Sequence, residues 1–296
     1  PKRFIMVLTP SVSFEFFPPH SKDAETQLWK VMEKLAPLSP LFFSVTYGAG
    51  GSTRNRTEKV VEQVHTSLPV PPAAHLTCVG ATRRDTDELA ERWWNTGIRH
   101  IVALRGDPPK GQSIYEPHPD GYENAAALVK GLRGMADFEI SVAGYPEKHP
   151  DAPDMAADLD NLKRKVDAGA TRILTQYFFE NAYFYRYRDA VAAAGISVPI
   201  VPGILPVTNF NKVVEFSAKS ATTVPDGIAQ QLDGLDSDPE TRNLIAASLA
   251  IQQCEDLLAN GVNAFHFYTL NRAALTYAIC WRLGMRPTLQ HNADAA

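Results

Sequence analysis

Apolar and polar positions along this chain repeat with two different periods. Short runs rich in β-branched and aromatic residues occupy positions 11–17, 41–47, 73–78, 99–104, 138–145, 172–178, 199–205 and 264–269. Each is followed by turn-forming or polar residues and reads as a β-strand. Between them, apolar residues recur at helical spacing over 23–38, 56–67, 85–96, 122–135, 154–168, 182–194, 210–218 and 239–260, and again over 272–283 after the last strand. Strand and helix thus take turns, which predicts βαβ units and a parallel sheet. Many of the strands are apolar almost throughout, as strands covered on both faces are.

Eight such units predict a closed (β/α)8 barrel with extra helices rather than an open, doubly wound sheet. An open sheet that binds a dinucleotide carries a Gly-x-Gly-x-x-Gly turn after its first strand. This chain has Pro18-Pro19-His20 there instead. A barrel takes about 250 residues, so the 296 present are expected to form one catalytic domain over 1–296, with no regulatory domain. The long connections, 106–121 and 206–240, both follow strands.

Composition narrows this only a little. A hydrophobic fraction of 45%, a charged fraction of 21% and a net charge of -4 are those of a soluble globular protein. They supply no general attraction to nucleic acid or to an anionic membrane. Cys78, Cys254 and Cys280 show no CxxC spacing, which argues against a disulfide framework and a structural zinc site. The start, Pro1-Lys2-Arg3 and then an apolar run, faintly imitates a signal peptide, but Pro10 interrupts it. No stretch approaches the roughly 20 apolar residues that a spanning helix needs. A cytoplasmic location is expected.

In a barrel, chemistry gathers at the C-terminal ends of the strands. Glu15 lies among aromatic residues in Ser13-Phe14-Glu15-Phe16-Phe17. A carboxyl in an apolar site is costly to ionise, so its pKa is expected to rise and make it a general acid. The plainer reading is a structural Glu paired with a barrel Arg or Lys. Thr46-Tyr47-Gly48-Ala49-Gly50-Gly51-Ser52-Thr53 ends the second strand with backbone and hydroxyl donors, suited to a phosphate or a flavin ring, although such a stretch is more often just a turn. His75 reads as a hydrogen-bonded core residue, because no further ligands at metal spacing accompany it.

Arg105-Gly106-Asp107-Pro108-Pro109 follows the fourth strand and holds a cation and an anion on one stiffened loop; a structural Arg–Asp pair is the alternative. Gln176, among aromatics at the end of the sixth strand, could read the edge of a heterocycle or satisfy nearby backbone. Asp158, Asn161 and Lys165 share one helical face, which is either a solvated charged surface or a cofactor contact.

Together these segments resemble the methylenetetrahydrofolate reductase family in its bacterial form. The strings Gly97-Ile98-Arg99-His100-Ile101-Val102-Ala103-Leu104-Arg105-Gly106-Asp107 and His266-Phe267-Tyr268-Thr269-Leu270-Asn271-Arg272 carry the resemblance most specifically, and similar segments run in order over nearly the whole chain. The resemblance implies a (β/α)8 barrel that binds FAD non-covalently. It also implies that hydride from NADH or NADPH passes through the flavin to 5,10-methylenetetrahydrofolate with ping-pong kinetics, within one-carbon metabolism and methionine supply.

By the same resemblance, Glu15 protonates N10 of the folate and opens its five-membered ring to an iminium ion. Asp107 lies by flavin and pterin. Gln176, Phe216 and Arg272 match substrate-contacting positions, and Lys212 stands where the family often has Gln. Thr46, His75, Arg105, Gly106, Asp107, Tyr145, His149, Asp158, Asn161 and Lys165 match the FAD shell. Bacterial members form homo-oligomers, often tetramers, so a homo-oligomer is implied here.

Two other readings compete. A cofactor-free aldolase or lyase wants a Schiff-base lysine in a strand, and the eight runs contain none. A flavin- or folate-binding protein without catalysis would be expected to lose Glu15 or Gln176, and both are present.

Overall fold

A computed structural model describes residues 9–47, 54–108, 111–112 and 114–288. The glycine-rich stretch 48–53, Pro109 and the apolar start at 1–8 lie outside the described residues.

Eight parallel strands close into a barrel in sequence order. They are β1 (Ser11–Phe16), β2 (Phe43–Val45), β3 (Pro72–Thr77), β4 (His100–Leu104), β5 (Glu139–Gly144), β6 (Arg172–Tyr177), β7 (Ile200–Ile204) and β8 (Ala264–Tyr268). All eight lie within or beside the runs read from the sequence. Closure is made by β1 and β8, where Ser13 sits level with His266 and Glu15 with Tyr268.

The helices are α1 (Lys22–Leu35), α2 (Arg54–Ser67), α3 (Arg83–Thr96), α4 (Ala125–Met135), α5 (Met155–Asp167), α6 (Asn181–Ala193), α7 (Phe210–Ser220), α8 (Asp226–Leu232), α9 (Pro239–Ala259) and α10 (Ala274–Arg282). Six begin at a side-chain cap on Ser21, Thr82, Asn124, Asp154, Asn209 or Asp238, each oxygen accepting from a backbone N–H three residues on. Those caps satisfy donors that a helix start would leave orphaned. In α1 the buried residues Leu28, Val31, Met32 and Leu35 form one stripe, turned toward the strands.

Two apolar cores result. The larger lies between strands and helices and includes Val12, Phe14 and Phe16 of β1. The smaller fills the barrel interior with Phe42, Ala73, Val102, Leu174 and Val201. Beside it lies a polar cluster near the N-terminal ends of the strands. There the Arg172 guanidinium donates to His100 Nε2 at 2.8 Å, and Ser141 Oγ lies 3.1 Å from the same nitrogen.

The clearest differences from the sequence reading are two helix starts and one helix that was not read. Helix α4 starts at Ala125 rather than at Tyr122, because Asn124 caps it while Tyr122 donates to Asp87 at 2.7 Å. The last helix starts at Ala274, since Leu270 and Asn271 take φ of 49° and 55°, outside helical geometry. Helix α8 was not read at all; its seven residues, DGIAQQL, are too few for a periodic pattern to stand out.

Candidate active site

Side chains of a strand alternate between its two faces. In β1 this sends Phe14 and Phe16 outward into the larger core and Ser13 and Glu15 into the barrel. Glu15 therefore does not sit among the rings that flank it in sequence. Its Oε2 faces His75 Nε2 of β3 at 3.4 Å and His266 Nε2 of β8 at 3.6 Å. Both nitrogens are buried and neither has a hydrogen-bond partner among the described residues, so these contacts are charge-to-ring approaches rather than tight bonds.

The expectation of a raised Glu15 pKa is overturned. Burial does push the carboxyl up, but the opposed imidazoles, His266 first and then His75, outweigh it and hold the pKa at about 2. The plainer alternative fails as well, because the partners are two histidines rather than an Arg or a Lys. His75 is buried, as expected, but the hydrogen bond expected with that burial is not made at Nε2 among the described residues. Its unsatisfied nitrogen and the similarly orphaned Thr77 Oγ1 lie on the same strand.

A second cluster forms around β4 and β5. Arg105 pairs with Asp151 at 2.8 Å, not with Asp107, which is exposed. The alternative of an Arg–Asp pair within one loop is thus replaced by a bridge between two loops. The Arg105 guanidinium also stacks over Tyr115, 4.6 Å from its ring centre. Gly106 takes φ +88°, and a Cβ there would stand 2.5 Å from Val79 Cγ1. Only glycine fits that turn without displacing Val79.

Next to it, Tyr145 meets the His149 ring edge-on at 4.5 Å. The His149 N–H donates to Asp158 Oδ2 at 3.0 Å, and Asp151 N–H donates to His149 Nδ1 at 3.0 Å. Lys165 Nζ donates to the Ala143 carbonyl at 2.6 Å. Asp158 and Lys165 are buried and Asn161 half-buried, so this face of α5 is not a solvated surface. Burial lowers the Lys165 pKa to about 8, with the Asp158 charge acting in the opposite direction. Thr46 is half-buried after β2, its carbonyl accepting from Thr57 Oγ1 at 2.7 Å.

The remaining candidates stand at the rim. Gln176 Oε1 accepts from the Tyr177 N–H at 3.0 Å, which is its backbone-satisfying role. Lys212 and Phe216 are exposed on α7, and Arg272 is exposed after β8. These elements follow β7 and β8, so all three side chains belong to the C-terminal end of the barrel.

Sequence reasoning missed Ser13, His266, Tyr268 and Asp151. Ser13 Oγ and His266 Nδ1 are 2.7 Å apart, and the Tyr268 hydroxyl donates to the Thr175 carbonyl at 2.7 Å. A signal existed for two of them. Alternation along β8 puts His266 and Tyr268 on the same inward face, although it does not say what they meet.

Known proteins resemble this chain over almost its whole length. Residues 5–284 match the family model described as methylenetetrahydrofolate reductase. Two bacterial proteins named 5,10-methylenetetrahydrofolate reductase, from Pectobacterium carotovorum subsp. carotovorum and Escherichia coli (strain K12), are each 49% identical over 94% of this chain, spanning 91% and 92% of their own lengths. An Arabidopsis thaliana protein named methylenetetrahydrofolate reductase (NADH) 1 is 35% identical over 92% of this chain and 48% of its own length. Among solved structures, an uncharacterized protein from Clostridium thermocellum, described as binding two copies of 5-methyl-5,6,7,8-tetrahydrofolic acid, superposes with a TM-score of 0.60. It covers 93% of this chain and 94% of that one at 14% identity, a likeness of fold. A closed eight-stranded barrel, joined to a match with the family model over almost its whole length, means that this chain belongs to the methylenetetrahydrofolate reductase family.

Proposed function

We propose that this protein reduces 5,10-methylenetetrahydrofolate to 5-methyltetrahydrofolate with non-covalent FAD and NADH or NADPH, in ping-pong order. The observation that carries the reading is the Glu15 carboxylate, enclosed by His75 and His266 at 3.4 and 3.6 Å. It supplies a proton-handling group at the C-terminal end of β1.

The residues around β3, β4 and α5 fit FAD. Thr77 Oγ1 is a buried polar atom without a hydrogen-bond partner among the described residues, which is a cost unless a ligand satisfies it, and His75 lies on the same strand. Arg105 and Lys165 offer cations, and Thr46, Tyr145, His149, Asp158 and Asn161 offer polar groups. Bound there, the flavin would supply the hydride-transfer chemistry.

The chain's own part is to bind, orient and move a proton. Glu15 is assigned delivery of the proton to N10 of the folate. The Asp107 charge would favour the cationic iminium that ring opening produces. Gln176, Phe216, Arg272 and Lys212 are assigned to substrate contact, with Lys212 suited to an anionic group. One mouth serving both substrates in turn accounts for the ping-pong order.

The test is an absorption spectrum of the purified protein, followed by anaerobic addition of NADH or NADPH and then of methylenetetrahydrofolate. A flavin spectrum that bleaches with the nucleotide and returns with the folate is expected. A protein that takes up no FAD, or that bleaches and does not recover, would overturn the reading.

A further inference from the structure

His266 is a sealed imidazole. Its side chain is 0% exposed, and Ser13 is 2% exposed. One ring nitrogen, Nδ1, lies 2.7 Å from Ser13 Oγ, and the other, Nε2, points at Glu15 Oε2 from 3.6 Å. The Phe42 ring from just before β2 packs 5.9 Å from His266 and 4.4 Å from His100, between His266 and the polar cluster near the strand N-termini. Tyr268, on the same strand, stands edge-on at 5.3 Å. The titratable and charged groups around His266 are therefore Glu15 on β1, Tyr268 on β8, His75 on β3 beyond Glu15, and His100 on β4 beside Arg172 of β6. Of the two imidazoles that face Glu15, His266 is the one whose second nitrogen is held by a buried hydroxyl.

We propose that His266, anchored by Ser13, is a positioning residue that stores the proton Glu15 passes to the folate nitrogen. The proposal rests on the reductase reading above. It resolves a difficulty in that reading: a carboxyl held at a pKa of about 2 carries no proton of its own to donate near neutrality. The relay starts with His266 as the imidazolium and Glu15 as the carboxylate. The Nε2–H bond of His266 breaks as its proton bonds to Glu15 Oε2, and that O–H bond breaks in turn as the same proton passes to N10. His266 is left as the neutral tautomer whose Nδ1–H still donates to Ser13. One proton has moved from imidazolium to substrate, and Glu15 is a carboxylate before and after. Nothing is oxidised or reduced in this step.

The first test uses the protein without any ligand, isotope-labelled at the histidine ring nitrogens. The signal that disappears in His266→Gln identifies His266. In the wild type it should carry protons on both nitrogens near neutral pH, and Glu15→Gln should strip the proton from Nε2. A bare Nε2 in the wild type, or an unchanged signal in Glu15→Gln, overturns the proposal whatever the cofactor proves to be.

The second test uses the flavin-loaded enzyme. His266→Gln should slow reoxidation by methylenetetrahydrofolate by about a hundredfold and flatten its pH dependence, while reduction by the nicotinamide nucleotide stays within about twofold. Equal slowing of both half-reactions, or of neither, overturns it. Ser13→Ala, which keeps the imidazole and frees Nδ1, should show the same asymmetry at smaller size. It carries the test if His266→Gln fails to fold. Wild-type protein that binds no flavin would refute the reductase reading alone, and the nuclear resonance result would still decide this one.

Discussion

The Tyr268 hydroxyl donates to the Thr175 carbonyl at 2.7 Å, joining β8 to β6 across the face of β7. The strand between them can be crossed because Gly203 stands there. A Cβ at Gly203 would lie 2.2 Å from the Thr175 oxygen and 2.6 Å from Tyr268 Cε2. Gly203→Ala is expected to force Tyr268 aside and to destabilise the protein by about 1–3 kcal/mol, the usual cost of overpacking. Urea unfolding measures this. A midpoint equal to that of the wild type would mean that the mouth absorbs the extra methyl.

Glu15→Gln removes the proton-handling group and keeps the shape. Reduction of the flavin by NADH or NADPH should continue at close to the wild-type rate, while reoxidation by methylenetetrahydrofolate should fall by about 10²–10⁴-fold. Stopped-flow absorbance separates the two steps. Equal loss in both would reassign Glu15 to cofactor binding.

Acid should unfold the protein partly through His100. Burial, reinforced by the Arg172 and His266 charges, lowers its pKa from 6.5 to about 3. Between those values the unfolded chain binds a proton that the folded one refuses, so stability falls as pH drops through the window. Glu15 acts in the same direction lower down, since its folded pKa of about 2 lies below the ordinary 4.5, and its contribution is lost as pH falls from 4.5 toward 2. His100→Gln, whose amide oxygen can still accept from Arg172, should flatten the pH dependence of unfolding free energy above about pH 4.5. An unchanged slope there would exclude His100 as the group responsible.

Asp158→Ala should loosen the loop after β5. It leaves the His149 N–H without its 3.0 Å acceptor and removes the charge that opposes the lowering of the Lys165 pKa. An unsatisfied buried donor costs about 1–3 kcal/mol. If the loop holds FAD as proposed, affinity should drop about tenfold or more, as read by fluorescence titration of the apoprotein. Unaltered affinity would place this loop outside the cofactor site.

Much of the fold was legible before any coordinates. Apolar runs of strand length alternate with amphipathic stretches, and both patterns are local, so β1 to β8 and nine of the ten described helices could be read directly. Only α8, one short segment inside a long connection, escaped, because periodicity needs more residues than it has. The candidate site was legible by position: residues after strands gather at one end of a barrel. Arg105, His149, Asp158 and Lys165 do converge there, although Arg105 meets Asp151 rather than Asp107.

What the chain's own pattern determined was the strands, their order of appearance and which side chains of each strand share a face. That follows from the two-residue repeat of an extended backbone, which needs no partner. What the tertiary structure alone decided was who meets whom across the barrel. Glu15 is surrounded in sequence by phenylalanines and in space by His75 and His266, because closure brings β3 and β8 to β1. The electrostatics reverse accordingly. A carboxyl judged by its sequence neighbours should be hard to ionise, whereas this one, judged by the imidazoles it faces, is ionised more readily than in water. Charge interactions act through space and depend on distance, and distance across a barrel is set by closure and stagger, which no local pattern encodes.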